Sequence, residues 1–264
     1  MSTRITLPMS TKAEWIKFRS LRSSVYSIIT LLVLTIGLGS LITYARTKHF
    51  GHDGDNALGW DPVTVSLTGF FFAEFVVGVV GAMIITGEYA TSSIRTSLAA
   101  FPRRVEFVLS KAIVLIGVVF VMSEAMAFIS FFLGQSLIKS AEPVTGLSTT
   151  IGATGVLHAV IFAGLSIVLL ALIGFGLGLL LKRTAAAITV FVSFLLVAPI
   201  LVAFLPSNWG DPITKWLPGT LARGMMSINR DPETFTPNVC GLVLLVYAIV
   251  VIAAGTYLFS KRDA

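Results

Sequence analysis

Residues 155–181 read G-V-L-H-A-V-I-F-A-G-L-S-I-V-L-L-A-L-I-G-F-G-L-G-L-L-L. The run contains no Asp, Glu, Lys or Arg, and His158 is its only side chain that can gain a charge near neutral pH. A helix built from it is apolar on every side, which a water-facing helix is not. About 20 such residues cross the ~30 Å of hydrocarbon in a bilayer. This run is long enough to tilt or to begin with an interfacial turn. The bilayer is therefore the solvent, and the backbone must satisfy its own hydrogen bonds within helices.

Working outward, five further runs reach spanning length: Val25–Tyr44, Val63–Thr86, Ala112–Leu137, Ala185–Leu205 and Val239–Ser260. Of 264 residues, 55% are hydrophobic and 12% charged, with a mean hydropathy of +0.91. Soluble domains carry about 25% charged residues. The sequence predicts an all-α integral membrane protein of six transmembrane helices in one domain over residues 1–264. It divides into a segment at 1–24, a six-span bundle at 25–260 and a tail at 261–264. The first apolar run follows a polar stretch and is of span length, so it is expected to remain as an anchor and not as a cleaved signal.

Lys and Arg orient the bundle. Thirteen of the nineteen fall on the side of the two chain ends, in the first 22 residues, in the connector after the second span, at Lys111, at Lys182-Arg183 and at Lys261-Arg262. The positive-inside rule makes that side, and both termini, cytoplasmic. The pI of 9.7 follows from this topology and not from nucleic-acid binding. Cys240 is the single cysteine, which excludes an intrachain disulfide.

The connector after the second span, Gly87–Arg104, reads G-E-Y-A-T-S-S-I-R-T-S-L-A-A-F-P-R-R. Thr91 and Ser92 are candidate hydroxyl caps. Ile94, Leu98 and Phe101 follow at helical spacing, and Pro102 ends the pattern. Arg95 lies on the polar side, with Arg103 and Arg104 after the stop. A short amphipathic helix with an exposed face in this position predicts docking to a partner.

Before the first span, Thr11-Lys12-Ala13-Glu14 has capping-box spacing. Trp15, Phe18, Leu21 and Val25 form one stripe among basic residues, which predicts an in-plane amphipathic helix on anionic lipid. His52, Asp53 and Asp55 in the Gly- and Asp-rich loop have no metal-site spacing and read as solvated. Trp209 and Trp216 suit an interfacial belt, and Leu217–Met226 predicts a short helix dipping back toward the membrane. Gly174, Gly176 and Gly178 follow no strand, so they serve close helix packing and not a nucleotide.

The chain lacks G-x-x-x-x-G-K-[ST], H-E-x-x-H and G-x-S-x-G. No catalytic residue, metal ligand or bound cofactor is expected, and the chain is not read as an enzyme. Glu74 and Glu124 sit inside the second and third spans. Counted at ~1.5 Å per residue from Glu88 and Lys111, both fall ~20 Å deep. A charge there is costly, so each should face a cavity or partner, or be protonated. They read either as a polar patch on a substrate path or proton relay, or as neutral carboxyls hydrogen-bonded within the bundle.

Gly87-Glu88-Tyr89 … Ile94-Arg95 … Pro102-Arg103-Arg104, with the lead-in Ala13-Glu14-Trp15 … Lys17 … Arg19-Ser20, resembles the permease subunits of type-2 ATP-binding-cassette transporters, in particular their actinobacterial members. Ser92 stands where such members often have Gly. The resemblance implies a multi-pass protein of the bacterial plasma membrane, in contact with its lipids. It implies a permease homodimer whose interface forms the path, and a separate ATPase subunit carrying ATP and magnesium. The connector would be the coupling helix, with Glu88, Tyr89, Ile94, Arg95, Leu98, Phe101, Arg103 and Arg104 facing the ATPase. An exporter of hydrophobic or amphipathic cargo is the expected function. The alternatives are a proton-coupled secondary transporter using Glu74 and Glu124, or a non-transporting membrane anchor subunit.

Overall fold

The computed structural model describes residues 7–20, 22–50, 60–94, 96–97, 103–141, 147–229 and 234–261. Among these residues the regular structure is entirely helical, as apolar segments without water to hydrogen-bond require. The elements are α1 (Leu7–Ser20), α2 (Arg22–Leu32), α3 (Gly39–His49), α4 (Pro62–Ser66), α5 (Phe70–Ala90), α6 (Arg104–Ser140), α7 (Val156–Leu181), α8 (Thr184–Val192), α9 (Ala198–Ala203), α10 (Ser207–Thr214), α11 (Pro218–Met226) and α12 (Pro237–Lys261).

Six stretches are long and apolar enough to cross a membrane: Ile28–His49, Phe70–Ala90, Arg104–Ser140, Val156–Leu181, Thr184–Ala203 and Pro237–Lys261. This is the architecture of a multi-pass membrane protein. The boundaries differ from the expected ones where polar residues continue a helix. The third stretch begins at Arg104, not Ala112, so Lys111 lies within it. The second is split, because the chain turns over Leu67–Gly69 between α4 and α5.

α7 forms the centre. Its most apolar window is 72% buried, against 22% for the first stretch and 17% for the fifth. Small residues explain the difference. A Cβ on Gly174 would overlap the backbone of Gly78 on α5, and one on Gly176 would lie 2.9 Å from the Ile252 nitrogen on α12. Both neighbours thus approach α7 backbone to backbone, the packing role expected of these glycines.

The first and fifth stretches each contain wide π-helical turns, Val33–Leu38 and Ser193–Val197. At the second, Pro199 supplies the cause. It has no backbone N–H, and its ring crowds the preceding turn, while the Ala198 N–H bonds five residues back to Ser193 O.

α1 lies against α6 with its polar edge inward. Ser10 is buried and Glu14 nearly so, whereas Met9, Trp15 and Ile16 are exposed. Thr11 is not a cap: the helix is already formed at Leu7, and the Thr11 hydroxyl donates back to Leu7 O at 2.9 Å. Glu14 is turned to the bundle instead. A short helix does form within Leu217–Met226: α11 packs against α7 and α12 with Leu221, Ala222 and Met225 buried.

Candidate functional site

Four charged residues from three elements meet where α1 crosses α5 and α6. Glu88 comes from the last turn of α5, Lys111 from the second turn of α6, and Glu14 and Lys17 from one face of α1 at i, i+3. Lys111 Nζ donates to Glu14 Oε2 and to Glu88 Oε1, both at 2.7 Å. Lys17 Nζ also donates to Glu88 Oε1. Lys111 is 2% exposed and Glu88 5%. Desolvating an ammonium costs several kcal/mol unless the geometry compensates. Here two carboxylates do so, and the Phe107 ring lies 4.8 Å from the same nitrogen, where its π face adds attraction.

The cluster closes one end of a cavity of about 320 Å³ between α2, α5 and α6. Beyond it the chain enters the connector. Thr91 ends α5: its N–H and its hydroxyl both reach Gly87 O. Ser92 then takes the left-handed conformation with φ 55°. The helix that follows starts from Ser93, whose carbonyl accepts from Ser97 N–H at 3.0 Å. Neither Thr91 nor Ser92 therefore caps it. Thr91 belongs to the helix before, and Ser92 makes the bend.

Of the expected docking residues, Ile94 is 3% exposed and packs into the main apolar core. Arg95, Leu98 and Phe101 lie outside the described residues. Tyr89 is half-buried, with Lys182 Nζ 5.3 Å from its ring. Arg103 is exposed and pairs with Glu106 at 2.6 Å. Arg104 is turned inward: its Nη1 donates to Phe259 O at 2.9 Å and to Ser260 O at 3.4 Å, satisfying free carbonyls at the end of α12. It joins the connector to the last span.

Glu74 and Glu124 are not brought together. Glu74 is buried with its carboxyl toward Gly219 of α11. Glu124 is partly exposed and lies over Gly164 of α7, whose missing side chain leaves it room. Gly78 touches Gly174 one turn beyond Glu74, whereas Glu124 sits level with Gly164. Along α7 the two acids are thus offset by ~9 Å. Their expected equal depth assumed upright helices, which this packing does not have. Glu74 Oε1 and both Glu124 oxygens lack hydrogen-bond partners among the described residues, which gives no support to the alternative of carboxyls hydrogen-bonded within the bundle.

At the opposite end, Asp61 does more than its sequence position announces. Its Oδ1 caps α4 by accepting from Val63 and Thr64 N–H, each at 3.0 Å. Its Oδ2 accepts from Ser227 Oγ at 3.0 Å and Ile228 N–H at 2.9 Å. Asp-Pro before an apolar run is an N-cap signal and could have located it. His158 bonds Asn238 at 3.0 Å, bridging α7 and α12. No group of three His, Cys, Asp or Glu side chains among the described residues could hold a metal; His52, Asp53 and Asp55 lie outside them.

A family model described as a protein of unknown function, DUF2705, matches residues 40–264. The chain belongs to the DUF2705 family. The DUF2705 match includes Glu88, Lys111, Asp61 and both intramembrane acids, and it begins after Glu14 and Lys17. No curated protein matches the chain.

Proposed function

We propose that this DUF2705 protein is the membrane-spanning subunit of an ATP-driven transporter, working as a dimer and coupled to a separate ATPase that binds ATP and magnesium. The carrying observation is the Glu14–Lys111–Glu88–Lys17 cluster. It ties the first turn of the connector to α1 and to the third spanning stretch through buried, charge-assisted bonds, so a push on the connector moves three elements as one. Ile94 anchors the connector to the core just beyond, and Arg104 links its far end to α12. That is the mechanical arrangement a coupling helix needs. With the predominance of Lys and Arg on this side, the cluster is cytoplasmic, and the exposed Trp15 and Ile16 of α1 rest in the inner leaflet.

The test is purification from the native membrane through a tag on this chain. A co-purifying ATPase is expected. Leu98→Asp, which puts a charge on the connector's apolar side, should lose it or lose substrate-stimulated ATP turnover. Unchanged retention and turnover would overturn the coupling role.

A second reading has one observation in its favour: Glu74 Oε1 and both Glu124 oxygens, without hydrogen-bond partners among the described residues, suit groups that bind and release protons. Transport driven by a proton gradient without ATP would select it.

A further inference from the structure

The cavity beside the charged cluster has two unlike ends. Its walls are apolar: Leu31 of α2, Val80, Met83 and Ile84 of α5, and Val118 and Met122 of α6. Its floor is the Glu14–Lys17–Glu88–Lys111 cluster with the hydroxyls of Thr91 and Ser93, which bond to each other at 2.9 Å. At about 320 Å³ it is within the range of small-ligand pockets. Met83, at its rim, is 43% exposed, so the cavity is open at the flank of the bundle.

The hydrogen-bond inventory of the floor is unbalanced. An ammonium has three donors. Lys111 directs two at Glu14 and Glu88 and lies against the Phe107 ring. Both lysines that reach Glu88 converge on Oε1. Glu88 Oε2 is buried and has no partner among the described residues. A buried carboxylate oxygen left without a donor costs about 1–3 kcal/mol or more. What Glu88 Oε2 lacks is a donor, and what the walls accept is hydrocarbon.

We propose that the cavity is a binding site for an amphiphile with one alkyl chain along α5 and α6 and a hydrogen-bond-donating head, best a primary ammonium, at the charged end, where a turn of the Glu88 carboxyl brings the buried Oε2 to the head. An acceptor-only head such as a carboxylate meets Glu88 and Glu14 without supplying the missing proton. The site is complete within one chain and needs no ATPase, so it stands or falls independently of the transporter reading.

The experiment uses the full-length protein in phosphatidylcholine nanodiscs with a photoactivatable dodecylamine. Crosslinks mapped by peptide mass spectrometry are expected at Val80, Met83, Val118 and Met122. Dodecylamine should compete at about tenfold lower concentration than dodecanoate, the scale of one charge-assisted hydrogen bond. Val80→Trp, which fills the cavity, should remove the crosslinks; Val118→Phe serves if the tryptophan variant does not fold. Added phosphatidylethanolamine that competes identifies a bilayer lipid as occupant, and competition by the free amine alone identifies a soluble amphiphile. Equal competition by dodecanoate would overturn the proposal. So would crosslinks that persist in a folded cavity-filled variant, or that gather on exposed residues such as Val121 and Ile129.

Discussion

Lys111 is a buried cation in the second turn of α6, tolerated because Glu14, Glu88 and Phe107 surround it. Lys111→Met leaves two nearby carboxylates without their shared partner. Removing one member of a buried pair typically costs ~3–5 kcal/mol, and denaturant unfolding in mixed micelles should show a loss of that order. Adding Glu14→Gln to Lys111→Met should recover part of it, because Glu88 keeps Lys17 while Glu14 is the carboxylate left without its lysine, and the two sites are coupled. An additive loss in the double variant would deny the pairing. Ser92 offers a second residue-level test. Its φ of 55° strains any residue with a branched Cβ. Ser92→Val should lower stability by ~1–2 kcal/mol in the same assay, while Ser92→Gly holds or gains.

At the scale of elements, contact between α5 and α7 depends on missing side chains. Gly174→Ala should force these helices apart, since its Cβ would overlap Gly78 backbone that cannot swing away. Overpacking of this kind costs ~1–3 kcal/mol. Gly117→Ala in α6 meets nothing within 4 Å and should leave the melting temperature unchanged or raised. If both substitutions behave alike, backbone contact is not what fixes the core. The glycines of α7 were legible in the sequence because close helix approach needs only small residues at the right spacing. The six spans were legible because hydrophobic length is a local property. The charged cluster was not. Glu14 and Lys111 lie 97 positions apart, Glu14 had a competing local role as a cap, and Lys111 fell one residue outside the span expected from Ala112. An ionisable residue within an apolar helix was the available signal, hidden by a boundary set too late. Asp61 escaped for a related reason: its cap was local and readable, but its bonds to Ser227 and Ile228 join segments distant in the chain.

For the whole molecule, the distribution of Lys and Arg predicts an orientation that can be measured directly. Single cysteines at Ser2, Ser97 and Asp263 in a Cys240→Ala background should resist impermeant thiol reagents in intact cells, and one at Asp55 should react. Labelling of Ser97→Cys from outside would invert the topology and remove the connector from any cytoplasmic partner. The background substitution is tolerable because Cys240 is a small packing residue beside Gly224, with no disulfide to lose.

The Glu88–Lys111 bond also has a consequence for how the protein is made. Glu88 leaves the ribosome 23 residues before Lys111, so the carboxylate is already at the membrane surface when the lysine arrives. A lone Lys near the middle of a helix adds ~2.5–3.5 kcal/mol to its insertion, less near an end. A hairpin of α5 and α6 can enter with that charge already matched, and contact with α1 then adds Glu14 as a second carboxylate. Glu88→Ala should therefore lower the inserted fraction of α6 in a translocon assay on this hairpin, and Glu14→Ala, on a helix absent from it, should matter only to the finished protein.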